Sequence, residues 1–96
     1  MDVVIETILL EFDDYVAECL RTQTKVHCHG AYADFGSSSP YDLADRGVTI
    51  YFNKVLPGLK ELDLAAKLAD ELHGRGKRPT ANFLKTGTEL HIPDAF

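Results

Sequence analysis

The sequence has few cysteines, and they do not form a disulfide framework. The chain of 96 residues contains 2 cysteines, Cys19 and Cys28, and Cys19 falls on the apolar side of a predicted helix. Small secreted domains usually compensate for a limited core with several disulfides. We therefore expect a reducing, cytoplasmic setting.

The sequence also has no long uninterrupted apolar run. Its most apolar segment lies near the N-terminus, is broken by Glu6 and Glu11, and has no basic leader. A membrane span needs ~20 mostly apolar residues, and a signal peptide begins with positive charge. We expect neither of these segments, and no membrane partner.

Positive charge is scarce and unevenly placed. The chain has 10 Lys and Arg against 15 Asp and Glu, a net charge of −5. Residues 2–20 contain no basic residue, whereas residues 75–85 contain Arg75, Lys77, Arg78 and Lys85 and no acidic one. This balance argues against direct nucleic-acid binding and suits a partner with a basic surface.

Ordinary globular composition, with 45% hydrophobic and 26% charged residues, predicts one small domain spanning residues 1–96. Its longest periodic stretch is residues 3–20. On a helix at ~100° per residue, one apolar set falls within a sector of about 120°, the width of a core-facing stripe. That set is Ile5, Ile8, Leu9, Phe12, Tyr15, Val16 and Cys19.

The opposite side of this helix has a small apolar seam between acidic flanks. The seam consists of Val3, Leu10 and Ala17, seven residues apart. An apolar centre with a charged rim is typical of a protein-binding face, although a single exposed leucine also fits an ordinary solvated surface. The predicted partner-binding residues are Glu6, Leu10, Glu11, Asp13, Asp14, Ala17 and Glu18.

A different local structure is also possible at the N-terminus. Residues 3–12 could form a buried strand, with Asp13 capping a helix over residues 14–21. The element order would then be the ferredoxin-like βαββαβ. Alternation over residues 3–12 is poor, because Glu6 and Glu11 fall on opposite faces of a strand, so we favour the long helix.

Later segments predict strands at residues 25–34 and 47–55 and a second amphipathic helix at residues 59–73. Ser39 and Pro40 are suited to start a short helix between the two strands. Residues 81–92 predict a hairpin about Thr86 and Gly87, which would pair Phe83 with Leu90 and Ala81 with Ile92. The predicted fold is α+β, a three- to four-stranded mainly antiparallel sheet with two amphipathic helices on one face.

The clearest chemical feature is His27-Cys28-His29. Two histidines at alternate strand positions project from the same face, so His27 and His29 could ligate zinc or another divalent transition metal. Cys28 would point the other way, and a third ligand would have to come from His91, His73 or Asp34. The pair also fits a pH-sensitive patch or two ordinary surface histidines.

Two further segments have weaker signals. Residues 36–40 place serine hydroxyls beside a possible helix start, where an anion could bind, but they lack the spacing of a phosphate loop. The cations Arg75, Lys77 and Arg78 follow a helix end, where they favourably meet the helix dipole. We identify no catalytic signature in the sequence.

These observations favour a non-enzymatic protein-binding module of the inhibitor, immunity or antitoxin type. Its acidic helix face would occlude a basic partner surface that handles nucleic acid. The first alternative is a small metal-binding enzyme or sensor centred on His27 and His29. The second is a structural homodimer in which Val3, Leu10 and Ala17 meet their symmetry mates.

Overall fold

The computed structural model describes residues 2–22, 26–37, 47–54, 60–93 and 95. In chain order its elements are α1 (Val3–Thr22), β1 (His27–His29), β2 (Asp34–Ser37), β3 (Val48–Asn53), α2 (Glu61–Gly74), β4 (Thr80–Phe83) and β5 (Gly87–Ile92). The predicted α+β class is confirmed, with a sheet of five strands rather than three or four.

Helix α1 is continuous over the whole N-terminal segment. Residues spaced by helical turns, such as Ile5, Ile8 and Phe12, are buried together on its inner side. Asp2 caps the helix, because its Oδ1 accepts the Val4 N–H at 2.9 Å. The alternative strand over residues 3–12 is therefore wrong, and so is the ferredoxin-like order that depended on it.

The strands form one antiparallel sheet in the order β1-β2-β3-β5-β4. Both helices pack on one of its faces, over the buried side chains of alternate strand residues. Those strand residues are Phe35, Val48, Ile50, Phe52, Leu90 and Ile92. We call the other side, which bears the alternate residues of each strand, the open face of the sheet.

The predicted strand over residues 25–34 is only partly correct, because β1 ends at His29 and a turn follows. Strand β2 begins at Asp34 and continues beyond the predicted strand. The Gly30 N–H donates to the Ala33 carbonyl at 2.7 Å, which closes this turn and pairs His27 with Gly36. The period-two pattern continued across the turn, so it did not reveal the break. The predicted helix start at Ser39 and Pro40 and the turn expected at residues 56–58 lie outside the described residues.

The C-terminal hairpin is present with a register shifted by two residues. Ala81 pairs with Leu90 and Phe83 pairs with Thr88, instead of Ile92 and Leu90. Gly87 is the first residue of β5. A Cβ at this position would collide with the Phe52 carbonyl and the Tyr51 hydroxyl of β3, which favours glycine here. A two-residue shift keeps every side chain on its predicted face.

Helix α2 ends in a Schellman motif. The Lys77 N–H donates to the Leu72 carbonyl at 2.9 Å and the Gly76 N–H to the His73 carbonyl at 3.0 Å. Gly76 takes a φ of +80°, which glycine adopts without steric cost. This ending directs Arg75 towards α1. Neither α1 nor α2, the helices of the described residues, is long and apolar enough to cross a membrane.

Candidate functional site

The outward side of α1 exposes apolar side chains among carboxylates. Leu10 is 66% exposed and Val3 is 74% exposed. Ala17, one helical repeat beyond Leu10, is also exposed, as are Glu6 and Asp14. We call this surface, formed by Val3, Glu6, Leu10, Asp13, Asp14, Ala17 and Glu18, the outer face of α1.

Two carboxylates of the outer face are engaged by arginines. The Arg75 Nη1 lies 2.9 Å from the Asp13 Oδ1, and the Arg21 Nη2 lies 2.5 Å from the Glu18 Oε1. The hydrogen bond from Arg21 lowers the pKa of Glu18 below its ordinary value. In the part of the chain that the structure describes, Glu6 and Asp14 make no ion pair, so they are the least compensated charges of this face.

Glu11, which we predicted to bind a partner, points instead into the domain. Its Oε1 accepts the Ala31 N–H at 2.7 Å and thereby fastens α1 to the turn between β1 and β2. Its Oε2 is buried with no hydrogen-bond partner among the described residues. Gly30 lies so close to this carboxylate that an added Cβ would collide with it. Glu11 therefore differs from Asp13 and Glu18, which pair with arginine side chains, because its carboxylate binds the backbone of the β1–β2 turn.

A groove of about 380 Å³ lies where α1 meets the β1–β2 turn, and Glu11, Glu18 and Cys28 are among its lining residues. Burial raises the pKa of the Cys28 thiol, and the nearby Cys19 raises it further. Burial also raises the pKa of Tyr15, whose hydroxyl donates to the Val26 carbonyl at 2.7 Å. Both groups are therefore held in their neutral forms, and Cys28 does not have the environment of a reactive thiolate.

The histidines of β1 lie together on the open face of the sheet. The rings of His27 and His29 meet edge to face with their centroids 5.1 Å apart. The His29 Nδ1 lies 2.5 Å from the Asp34 Oδ1 across the β1–β2 pair. Among the described residues, however, no three His, Cys, Asp or Glu side chains form a group that could hold a metal ion.

Strand order explains why His91 does not complete the group. His91 belongs to β5, and two strands, β2 and β3, lie between it and β1. Strands are spaced by about 4.8 Å, so the two positions are ~14 Å apart, whereas zinc ligands lie ~2 Å from the metal. The His91 Nδ1 instead lies 3.2 Å from the Thr49 Oγ1 of the neighbouring strand. His73 is exposed on α2, away from the open face.

A shallow cavity of about 360 Å³ lies on the open face, lined in part by His27, Asp34, Tyr51 and Glu89. Asp34, Tyr51 and Glu89 form one row across the strands, because the register aligns Asp34 with Tyr51 and Tyr51 with Glu89. His27 belongs to the next row, opposite Gly36. Ser37, from the predicted anion-binding segment, is among the residues that line the cavity. Residues 38–40 of that segment lie outside the described residues.

Sequence reasoning missed two features of the surface. One is the pairing of Asp13 with Arg75, which joins residues 62 positions apart. The other is the exposure of Phe83, which is 71% exposed although it lies on the apolar side of a strand. Comparison of the chain with protein-family models, with curated proteins and with solved structures gave no match.

Proposed function

We propose that the protein is a non-enzymatic binding module of the inhibitor, immunity or antitoxin type. The outer face of α1 would cover a basic surface of another protein. The observation behind this proposal is the position of Leu10, 66% exposed on the same helix face as uncompensated carboxylates. Burying a leucine side chain is worth about 1.5–3 kcal/mol, so Leu10 is suited to be the apolar anchor of an interface.

Glu6 and Asp14 would supply the polar rim of this interface. Both are exposed, and neither is engaged in an ion pair within the described residues. Surfaces that bind nucleic acid are basic because they neutralise phosphates. Carboxylates placed on such a surface would occupy the positions of phosphates, and the bound module would block access by nucleic acid.

The alternatives receive less support. A homodimer formed through Val3, Leu10 and Ala17 would set acidic rims against each other, and like charges in contact repel. A metal-dependent activity at His27 and His29 would need a third ligand, which the described residues do not provide. Binding through the outer face of α1 requires no further ligand of this kind.

The experiment is affinity capture from the native host with the immobilised full chain, followed by mass spectrometry and titration of the captured protein. We expect a basic partner whose affinity falls with rising salt. Leu10→Ser and Asp14→Lys should each weaken binding by roughly tenfold or more, and Asp14→Lys should also flatten the salt dependence. Asp14 is the better target than Asp13, which is already bound to Arg75.

Asp70→Lys is the matched control. Asp70 is exposed on α2, so the substitution makes the same change of charge outside the outer face of α1. We expect the affinity of Asp70→Lys to stay within about twofold of the wild-type value at physiological salt, where long-range attraction is screened. A partner that binds Leu10→Ser and Asp14→Lys as tightly as the wild-type chain would contradict the proposal.

A further inference from the structure

A second surface lies at the far edge of the sheet, where β4 ends the strand order. All four residues of β4, Thr80–Phe83, are exposed. Within the described residues β4 pairs only with β5. An edge strand of this kind presents backbone donors and acceptors that another strand can use.

The hairpin geometry identifies which backbone groups of β4 point outward. The Leu84 N–H donates to the Gly87 carbonyl at 2.9 Å, and this pair continues the register of β4 with β5. Hydrogen-bonded and non-hydrogen-bonded pairs alternate along an antiparallel ladder. Asn82 and Thr80 are therefore bonded to β5, while the N–H and C=O groups of Ala81 and Phe83 face away from the sheet.

Beside this edge runs an apolar groove of about 470 Å³ between α2 and β4. The groove is open because α2 contributes Ala65, Ala66 and Ala69 here, which leave space that larger side chains would fill. Exposed apolar side chains rim it, since Phe83 is 71% exposed and Leu62 is 51% exposed. The outward backbone groups and the groove thus lie side by side, and we call the two together the edge groove.

Cations flank β4 on both sides along the chain. Residues 72–88 contain four cations and no carboxylate, with Lys77 and Arg78 preceding β4 and Lys85 following it. The acidic residue at the groove is Asp63, on its α2 side. Carboxylates on an added strand would therefore be attracted at both ends of β4.

We propose that the edge groove binds an extended, acidic segment of another protein as a sixth strand. The backbone of the segment would pair with Ala81 and Phe83, one apolar side chain would enter the groove beside Ala66 and Ala69, and its carboxylates would lie near Arg78 and Lys85. This is strand addition, in which main-chain hydrogen bonds supply affinity and a side-chain pocket supplies selectivity.

The same charges disfavour a second copy of this chain as the occupant. A symmetric antiparallel pairing that uses both Ala81 and Phe83 of each copy would set Ala81 opposite Phe83 of the other copy. Lys85 would then face Pro79 of the other copy, next to its Arg78. Cations of the two copies would thus approach each other at both ends of the pairing, and like charges at an interface oppose association.

The test uses the full chain and the acetylated, amidated peptide Glu-Val-Glu-Ile-Glu-Val-Glu, followed by amide hydrogen exchange. In the free protein the amides of Ala81 and Phe83 should exchange fast, while that of Asn82 is slower. Saturating peptide should slow the exchange of Ala81 and Phe83 by roughly tenfold or more. Absence of saturable binding up to about 1 mM peptide, or protection elsewhere only, would overturn the proposal.

Two variants and one control sharpen the result. Ala81→Pro removes an outward N–H that β5 does not use, and proline is tolerated there on an edge strand. Phe83→Ala removes one of the two apolar rim side chains without altering the backbone. Each should weaken peptide binding by roughly tenfold, whereas Asn82→Ala, which changes a side chain on the open face, should change it by less than about twofold.

Two further outcomes would overturn the assignment. Equal protection of Ala81 and Phe83 by the peptide Lys-Val-Lys-Ile-Lys-Val-Lys would remove the preference for acidic segments. Concentration-dependent dimerisation with protection of the same amides, without peptide, would assign the edge to a second copy. Because the wild-type exchange pattern tests the geometry directly, the proposal stays testable even if Ala81→Pro fails to fold.

Discussion

The Arg75 guanidinium lies 2.9 Å from the Asp13 carboxylate and so joins the exit of α2 to the outer face of α1. Both side chains are about half exposed, 42% for Arg75 and 51% for Asp13. Water and salt therefore weaken their attraction, and a pair of this kind contributes little to stability. Its main effect is to compensate one of the charges that surround Leu10.

We expect Arg75→Gln to lower the free energy of unfolding by less than about 1 kcal/mol at low salt, and by less at high salt. Urea denaturation of Arg75→Gln, Asp13→Asn and the double variant gives the coupling energy. A coupling well above 1 kcal/mol at low salt, or one that does not fall as salt rises, would contradict this estimate of a weak, exposed pair.

The glycines at the end of α2 should respond oppositely to substitution. Gly76→Ala places a Cβ on a residue with φ of +80°, which should cost about 1–2 kcal/mol. Gly74→Ala is the matched control, because Gly74 is the last helical residue and a Cβ there meets nothing within 4 Å. It should be neutral or stabilise the protein by up to about 1 kcal/mol. Thermal or urea unfolding measures both, and equal effects would contradict the Schellman ending.

The contact between Glu11 and the β1–β2 turn should appear as energetic coupling. Gly30→Ala places a methyl group against the Glu11 carboxylate and the Phe35 ring, which should cost about 1–3 kcal/mol. Glu11→Ala removes the acceptor of the Ala31 N–H and should cost about 1–3 kcal/mol alone.

In the Glu11→Ala background, the cost of Gly30→Ala should be smaller, because one of the two clashing groups is gone. Urea denaturation of the two single variants and the double variant measures this difference. Strictly additive effects would show that the carboxylate does not lie against Gly30.

Asp2 should make the protein acid-sensitive. The hydrogen bond from the Val4 N–H, and then that from Lys67, lower the pKa of Asp2 from its ordinary value of 3.8. A carboxylate with a lowered pKa in the folded state contributes stability above its unfolded pKa, and this stability is lost as the pH falls through the folded value. Asp2→Asn keeps a capping side chain that does not titrate.

The wild-type chain should therefore have a higher urea midpoint than Asp2→Asn at pH 7. This difference should shrink as the pH falls below 3.8. Helical circular dichroism can follow the same unfolding transition. A difference that stays constant down to pH 2 would show that Asp2 does not cap α1 in its charged form.

The elements with a complete apolar period could be predicted from the sequence, and those shaped by remote contacts could not. The apolar stripe from Ile5 to Cys19 predicted α1, and the apolar alternation of Val48, Ile50 and Phe52 predicted β3. The break at Gly30 is different, because Glu11, which packs against it, is 19 positions away in the sequence. The observed hairpin register likewise brings Gly87 against Phe52 of β3, a contact that the local turn pattern does not contain.

The candidate sites divide in the same manner. The exposure of Leu10 follows from its position opposite the core stripe, so helical geometry alone predicted it. The compensation of Asp13 by Arg75 requires the direction in which the chain leaves α2, which a local pattern does not contain. The exposure of Phe83 depends on β4 lying beyond the part of the sheet that α2 covers, which follows from strand order.

Helix α1 also holds a short strand in place. Strand β1 has three residues and lies at the margin of the sheet, and α1 reaches its two flanks through Tyr15, bound to Val26, and Glu11, bound to Ala31. A shortened protein without α1 would lose both fastenings and bare the apolar interior of the sheet, so it should aggregate. An isolated α1 peptide would be only marginally helical in water. Minimised versions of this protein must therefore retain the helix and the sheet together.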